Sequence, residues 1–152
     1  MMRLVGEGRA LSRRRCAEWI DESLVDYATR GYGASAVHVA EETRLAGYCG
    51  IVAARRRSDP EIIYALRPEL QGQGLGTELV KGLLDFGFGT CGLRRLVASI
   101  RPENIASLRV AEKAGMHCAA EELGPEGIPM LIYVAESPAY SSGSPSTFHF
   151  SR

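Results

Sequence analysis

Gln71-Gly72-Gln73-Gly74-Leu75-Gly76-Thr77 is the stretch of this chain whose residue types and spacing point most directly to chemistry. It lies between an apolar run that stops at Pro68 and an amphipathic run that begins near Gly74, so it reads as a turn opening a helix. The first backbone N–H groups of a helix lack internal partners, and the macrodipole puts partial positive charge there. Glycines at 72, 74 and 76 remove the Cβ atoms that would hold a phosphate away from those amides, while Gln71, Gln73 and Thr77 add neutral donors. The bland alternative is a tight turn in a chain that carries 17 glycines. Three alternate glycines exceed what a turn needs, however, and Gly74 and Gly76 cost helix propensity where a helix is starting. A P-loop would require Lys-Ser/Thr after the glycines, and this spacing is not that of the dinucleotide fingerprint. The expected ligand is therefore a nucleotide-type cofactor other than ATP or NAD.

Other reactive residue types form no comparable cluster. The four cysteines, Cys16, Cys49, Cys91 and Cys118, are far apart and make no CxxC pair, and the three histidines add no metal-ligand spacing, so no metal is expected. Cys49 and Cys118 sit in apolar runs, and reduced thiols in a cytoplasm are the expected state. Lys+Arg and Asp+Glu both number 18, which argues against a nucleic-acid or acidic-membrane partner. Arg13-Arg14-Arg15 and Arg55-Arg56-Arg57 read as solvated faces, with an anion-binding rim as the alternative. The N-terminus lacks a hydrophobic signal region and no apolar run approaches membrane-spanning length, so a soluble protein is expected.

The elements that must position the turn can be read from periodicity. Ser12–Thr29 reads as a helix, with Ser12 as N-cap, Gly31 as stop, and Ala17, Ile20, Leu24, Val25 and Ala28 on one stripe. Ser35–Ala40 and Leu45–Ala54 read as β segments joined by the polar turn 41–44. Glu61–Leu66 is a third, apolar enough for burial on both faces. A helix is expected from about Gly74 to Phe88, a strand over Arg95–Ile100, a second helix over Pro102–Ala114 with Gly115 after it, and closing strands over His117–Ala120 and Met130–Ala135. At 152 residues this is one domain, 1–136, and 137–152 form a Ser/Pro-rich tail without periodicity that is expected to be disordered or loosely draped. Strand, helix and strand alternate through the middle, which predicts an α/β fold with a mixed sheet flanked by helices.

Gln71-x-x-Gly74-x-Gly76 resembles the acetyl-CoA diphosphate motif of the GNAT N-acetyltransferase superfamily. Glu61-Ile-Ile-Tyr-Ala-Leu-Arg-Pro-Glu69 before it and Arg101-Pro-Glu-Asn-Ile-Ala-Ser-Leu-Arg-Val-Ala-Glu-Lys-Ala-Gly115 after it are similar to the ribosomal-protein-acetylating branch. The resemblance runs from about Met1 to Val134. It implies a mostly antiparallel sheet that splays after the third strand, with acetyl-CoA as co-substrate and an amine, either a protein N-terminus or a small molecule, as acceptor. Leu66 and Arg67 would pair with the pantetheine amides, Gln71, Gly72, Gln73, Gly74, Leu75, Gly76 and Thr77 would hold the diphosphate, and Asn104 would bind the pantetheine arm.

Attack of an amine on a thioester needs removal of a proton, because an amine of pKa near ~10 is mostly protonated at neutral pH. Glu61, at the start of the third strand, matches a family glutamate and is the candidate base; a solvent-exposed strand-edge Glu is the alternative. His38 is a weaker candidate, since a lone strand histidine is more often structural. An amide near Leu66 is the oxyanion donor the resemblance suggests. Many family members place a tyrosine seven residues after the asparagine as the acid, but here that position is Ala111. Ser107 shares the helix face with Asn104 and Ala111 and is the hydroxyl left there; a back-bonded surface serine is its alternative. Met1–Gly8 resembles the segment that comes after the family's first strand and helix, so both are expected to be missing. A wrong start, compensation by dimerisation, and a degenerate acyl-CoA-binding module are the outcomes left open.

Overall fold

Ser12 caps the first helix, its Oγ accepting from the Arg15 N–H, and α1 runs Arg13–Arg30 to a left-handed Gly31 at φ 78°. The computed structural model describes residues 11–40, 42–54 and 56–141; the expectations for 1–10 and for the tail beyond 141 lie outside them. Three strands come next: β1 (Ala34–Val37), β2 (Gly47–Val52) and β3 (Glu61–Leu66). After the glycine turn come α2 (Leu75–Asp85), which ends in a π-helical turn over Phe86–Thr90, and β4 (Arg95–Ile100). The chain continues through α3 (Ile105–Lys113), β5 (His117–Leu123), β6 (Pro129–Glu136) and a single helical turn, α4 (Pro138–Ser141).

The strands form one mixed sheet in the order β1-β2-β3-β4-β6-β5, antiparallel throughout except for β3 and β4. Both β3 and β4 have the bounds their sequence predicts. Strand residues alternate between faces, and the two faces are covered differently. On one, α2 and α3 pack over Ile51, Ile62, Leu96, Ala98 and Ile100, which form the main core with Val80, Leu84 and Ala111 from the helices. Ile51 and Leu96 are 1% and 0% exposed, and burial of side chains of this size stabilises by about 1.5–3 kcal/mol each. On the other, Val97, Ile132 and Val134 form a smaller cluster.

Helix α1 lies on that second side of the sheet, where the Trp19 ring meets Tyr48 edge-on at 5.0 Å. It docks through Trp19, Ser23 and Tyr27. The Ser23 hydroxyl turns back to the Trp19 carbonyl, and a Cβ on Gly33 would come within 2.8 Å of the Ser23 carbonyl oxygen. The small residues at 23 and 33 therefore set how closely the helix approaches. The stripe of Ile20, Leu24 and Val25, recognisable by its periodicity, is turned outward instead and is 59–63% exposed. Among the described residues, β1 pairs only with β2, so its other edge is open.

Candidate functional site

The pairing of β3 with β4 is confined to Glu61 opposite Val97, where the Val97 N–H donates to the Pro60 carbonyl at 3.0 Å. A continuous parallel ladder would next join the Ser99 N–H to the Ile62 carbonyl. Instead the Glu61 carboxylate takes the Ser99 N–H at 3.1 Å. The side chain thus replaces a rung of the ladder, and beyond it the two strands part. The result is a gap closed at Glu61 and Val97 and open toward Leu66.

Alternation along β3 decides which backbone groups face this gap. The Arg67 N–H donates to the Ala46 carbonyl at 2.9 Å, so Arg67, Ala65 and Ile63 direct their polar groups at β2. Tyr64 and Leu66 direct theirs the other way, into the gap. Leu66 thus faces the gap, whereas the Arg67 amide serves β2 and its guanidinium pairs with Glu42 and, at 3.2 Å, with Glu69. The backbone partner of Leu66 on the gap side is Tyr64, which in the sequence is only one member of an apolar run.

The glycine turn adjoins the open end of the gap. Gly72 and Gly74 have φ of +75° and +82°, conformations that disfavour any side chain, and a Cβ on either would meet nothing within 4 Å. Gly74 is the N-cap of α2 and offers no side chain to the helix's first amides. The Glu78 N–H is the first to close an intrahelical bond, onto the Gly74 carbonyl at 3.0 Å, which leaves the N–H groups of Leu75, Gly76 and Thr77 for a ligand. Gly76 serves a different purpose: a Cβ there would stand 3.2 Å from Val110 Cγ2 and 3.4 Å from the Tyr64 ring, so its absence lets α2 settle against α3 and β3. The glutamines hold the turn itself. Gln71 Nε2 donates to the Leu66 carbonyl at 3.0 Å and Gln73 Nε2 to the Glu69 carbonyl at 2.8 Å.

Asn104 is the N-cap of α3, its Oδ1 accepting from the Ser107 N–H at 3.3 Å, which leaves its amide nitrogen as the donor end. Ser107 stands one turn into α3, and its Oγ accepts from the Tyr64 hydroxyl at 3.2 Å. This bond runs from β3 to the helix after β4, so it spans the gap on the α2–α3 face. Burial pushes the Tyr64 phenol up from its ordinary pKa, and the bond to Ser107 opposes this. Ala111, one turn beyond Ser107, is 3% exposed and packed in the core. Glu61 lies on the opposite face of β3 from Tyr64, by parity, so the carboxylate and the hydroxyl pair flank the closed end of the gap from its two sides. His38 lies just beyond β1 and is exposed. A lone tyrosine in an aliphatic strand was the available signal for the hydroxyl pair, because a buried phenol must find a partner.

These features are those of a recognised domain. Residues 1–117 match the acetyltransferase (GNAT) domain family. The Bacillus subtilis (strain 168) protein YkkB is 36% identical over 110 residues, an alignment covering 69% of this chain and 62% of YkkB, so the chain spans less than two thirds of that relative. A Bordetella pertussis structure assigned to the GNAT family superposes with a TM-score of 0.76 at 23% identity, over 85% of this chain and 80% of that one. The Salmonella typhimurium yncA structure, solved with acetyl-CoA, gives a TM-score of 0.72 at 20% identity, over 95% and 84% of the two chains. With a splayed sheet, a glycine turn at its mouth and a family match over most of the chain, the protein belongs to the GNAT acetyltransferase domain family.

Proposed function

We propose that this chain transfers the acetyl group of acetyl-CoA to a primary amine by direct attack of the amine on the thioester. The observation that carries this reading is the gap between β3 and β4, which opens at the glycine turn and ends blind at Glu61 and Val97. An anion held by the amides of Leu75, Gly76 and Thr77 would leave an extended arm one path, along the gap-facing backbone of Leu66 and Tyr64. The residues present fit such a ligand: open φ-positive glycines, unpaired helix amides and a strand edge that β4 leaves unpaired beyond Glu61. The Asn104 amide nitrogen would reach the arm from α3. An N–H of Tyr64 or Leu66 would serve the oxyanion.

The acceptor would enter from the face that carries Glu61, whose second oxygen is the candidate acceptor of the amine proton. Both a protein N-terminus, as the similarity to the ribosomal-protein-acetylating branch suggests, and a small amine fit that chemistry. A thiol-release assay with acetyl-CoA and a panel of N-terminal peptides and small amines tests the proposal. Release with at least one class supports it, and silence across the panel despite CoA binding opposes it. Ala111 favours a second reading, a non-catalytic acyl-CoA-binding module, because the helix position where an acid is expected is an apolar core residue. That reading predicts thermal stabilisation by CoA, the consequence of ligand binding to the folded state alone, with no thiol release.

A further inference from the structure

We propose that Arg57 and Glu122 fix a roof over the acceptor side of the gap, and that this roof admits primary amines on unbranched chains and turns away amines on branched carbons. The inference rests on the acetyl-transfer reading and names an acceptor class for it. Arg57 lies in the connection between β2 and β3, yet its Nη2 pairs with Glu122 Oε2 on β5 at 2.6 Å. Beside it, Arg56 Nη1 donates to the Leu123 carbonyl at 3.3 Å. In the sheet β4 and β6 separate β3 from β5, a distance of three strand spacings or roughly 14 Å. The four residues from Arg57 to Glu61 reach about as far when extended, so they and the arginine arm pass directly over β4 and β6. Register gives the face. Glu122 pairs with Met130, which packs with Val97, Ile132 and Val134 in the smaller cluster. The base of the segment is tied as well, with the Pro60 carbonyl accepting from the Val97 N–H and Asp59 lying 3.7 Å from Arg95.

Burial along this face marks where the roof ends. Val97, Ile132 and Val134, beneath residues 56–60, are 1–3% exposed. Ala65, which pairs with Tyr48 where Trp19 of α1 docks, is 5% exposed. Between these two covers, Glu61 and Ile63 on β3 and Ser99 on β4 remain part exposed. The window they form is one strand spacing wide, about 5 Å. With carbon atoms in contact at about 3.5–4.0 Å, it accepts one methylene chain and not two side by side. Its chemistry fits the same guest. One oxygen of the Glu61 carboxylate is committed to the Ser99 N–H, and the other can meet an ammonium group. Ile63 offers the chain an apolar wall. The α-amine of a peptide carries a side chain and a carbonyl on the same carbon, and that branch meets the roof.

The test uses the full chain with acetyl-CoA and reads thiol release. The probes are two isomeric amines of similar basicity, n-butylamine and sec-butylamine, and a tripeptide with a free N-terminus. Wild type is expected to favour n-butylamine over both in kcat/KM by about tenfold or more. Arg57→Ala should raise the ratio of sec-butylamine to n-butylamine by about threefold, the scale of one exposed ion pair, and Arg56→Ala with Arg57→Ala by about tenfold. Exchange of the charges, Arg57→Glu with Glu122→Arg, should return the ratio toward wild type, which a loss of stability alone would not do. CoA affinity by titration calorimetry should stay within about twofold in every variant, because the roof and the glycine turn lie at different ends of the gap. An equal ratio in wild type and the double alanine variant overturns the proposal, as does a wild type that prefers sec-butylamine or the tripeptide. Should the double variant fail to fold, Glu122→Gln, at a side chain that is 50% exposed, decides the matter. A wild type that releases no thiol with any amine of a broad panel removes the acetyl-transfer reading and this inference with it. Release with amines at a ratio that no variant changes refutes the roof alone.

Discussion

Two alanine substitutions on one helix should have opposite effects. Gly74 and Gly82 both have open space around the missing Cβ, so neither change produces a clash. They differ in backbone: Gly74 holds φ at +82°, whereas Gly82 lies inside α2. An L-residue at a left-handed position costs roughly 1–2 kcal/mol, partly offset by about 0.4–1 kcal/mol from the reduced freedom of the unfolded chain. Gly74→Ala should therefore destabilise by about 1 kcal/mol and lower Tm by roughly 2–4 °C for a domain of this size. Gly82→Ala should gain about 1 kcal/mol from helix propensity and raise Tm by a similar amount. The ligand separates the two further. Relaxing the strained turn at Gly74 swings the amides of Leu75 to Thr77 away from a common point, and the loss of one charge-assisted bond weakens CoA by about tenfold or more. Gly82→Ala should leave CoA affinity within about twofold. Differential scanning calorimetry and titration calorimetry with CoA measure both quantities. If Gly74→Ala stabilises as Gly82→Ala does, the conformational argument is wrong; if it destabilises without changing CoA affinity, the turn does not hold the diphosphate.

Glu61→Gln keeps an oxygen for the Ser99 N–H but loses a base, so it should retain Tm within about 1 °C while acetyl transfer falls by about 100-fold or more; Glu61→Ala should lose Tm as well, and equal rates in Glu61→Gln and wild type would show the carboxylate to be structural only. Ala111→Tyr should not restore a helix acid: position 111 is 3% exposed, and overpacking there costs about 1–3 kcal/mol, visible as a lower urea midpoint with no gain in rate. Alkali should destabilise the fold. Burial raises Tyr48, Tyr64, Tyr133, Cys49 and Cys91 above their ordinary values, so the unfolded state loses these protons first, and stability falls as pH rises through about 9 for the thiols and 10 for the phenols. Melting curves between neutral pH and strong alkali should show this decline, and Tyr133→Phe should make it shallower.

The features legible without coordinates divide from the rest along a physical line. Glu61–Leu66 and Arg95–Ile100 kept their bounds because a β-forming run between breakers contains its own signal. The φ requirements of Gly72 and Gly74 are likewise local. Helix α1 was recognisable by its period, but the period does not say which of its stripes meets the sheet; that was decided by Trp19 against Tyr48 and by Ser23 against Gly33, contacts between separate elements. The π turn at Phe86–Thr90 had no sequence signal beyond its glycines, and Gly87 there answers to Leu96, whose Cδ1 would lie 2.7 Å from a Cβ. The direction of the Arg67 amide, toward β2, has no signal in the sequence, because it depends on the register of β2 with β3, which one-residue parity inverts. Tyr64 and Ser107 are 43 residues apart, and only the crossover through α2, β4 and α3 brings their hydroxyls together.

Glu61 connects the architecture to the chemistry. A glutamate at the start of an apolar strand is costly to bury unless its charge is met, and here the Ser99 N–H meets it. That bond substitutes for the ladder rung that would have continued the pairing of β3 with β4, so the same side chain ends the sheet's continuity and marks the inner end of the gap. Had the rung formed normally, the backbone groups of Tyr64 and Leu66 would be paired to β4 and closed to any ligand. The open strand edge is tolerated because it is short, because Gln71 covers the Leu66 carbonyl, and because α2 and α3 close over one face. The gap is therefore bounded by one carboxylate–amide bond on the Glu61 face and one hydroxyl–hydroxyl bond on the α2–α3 face. Glu61→Ala frees the Ser99 N–H for the Ile62 carbonyl, so pairing of β3 with β4 should extend and narrow the gap; CoA affinity should then fall by about tenfold in titration calorimetry, and unchanged affinity would refute the reading.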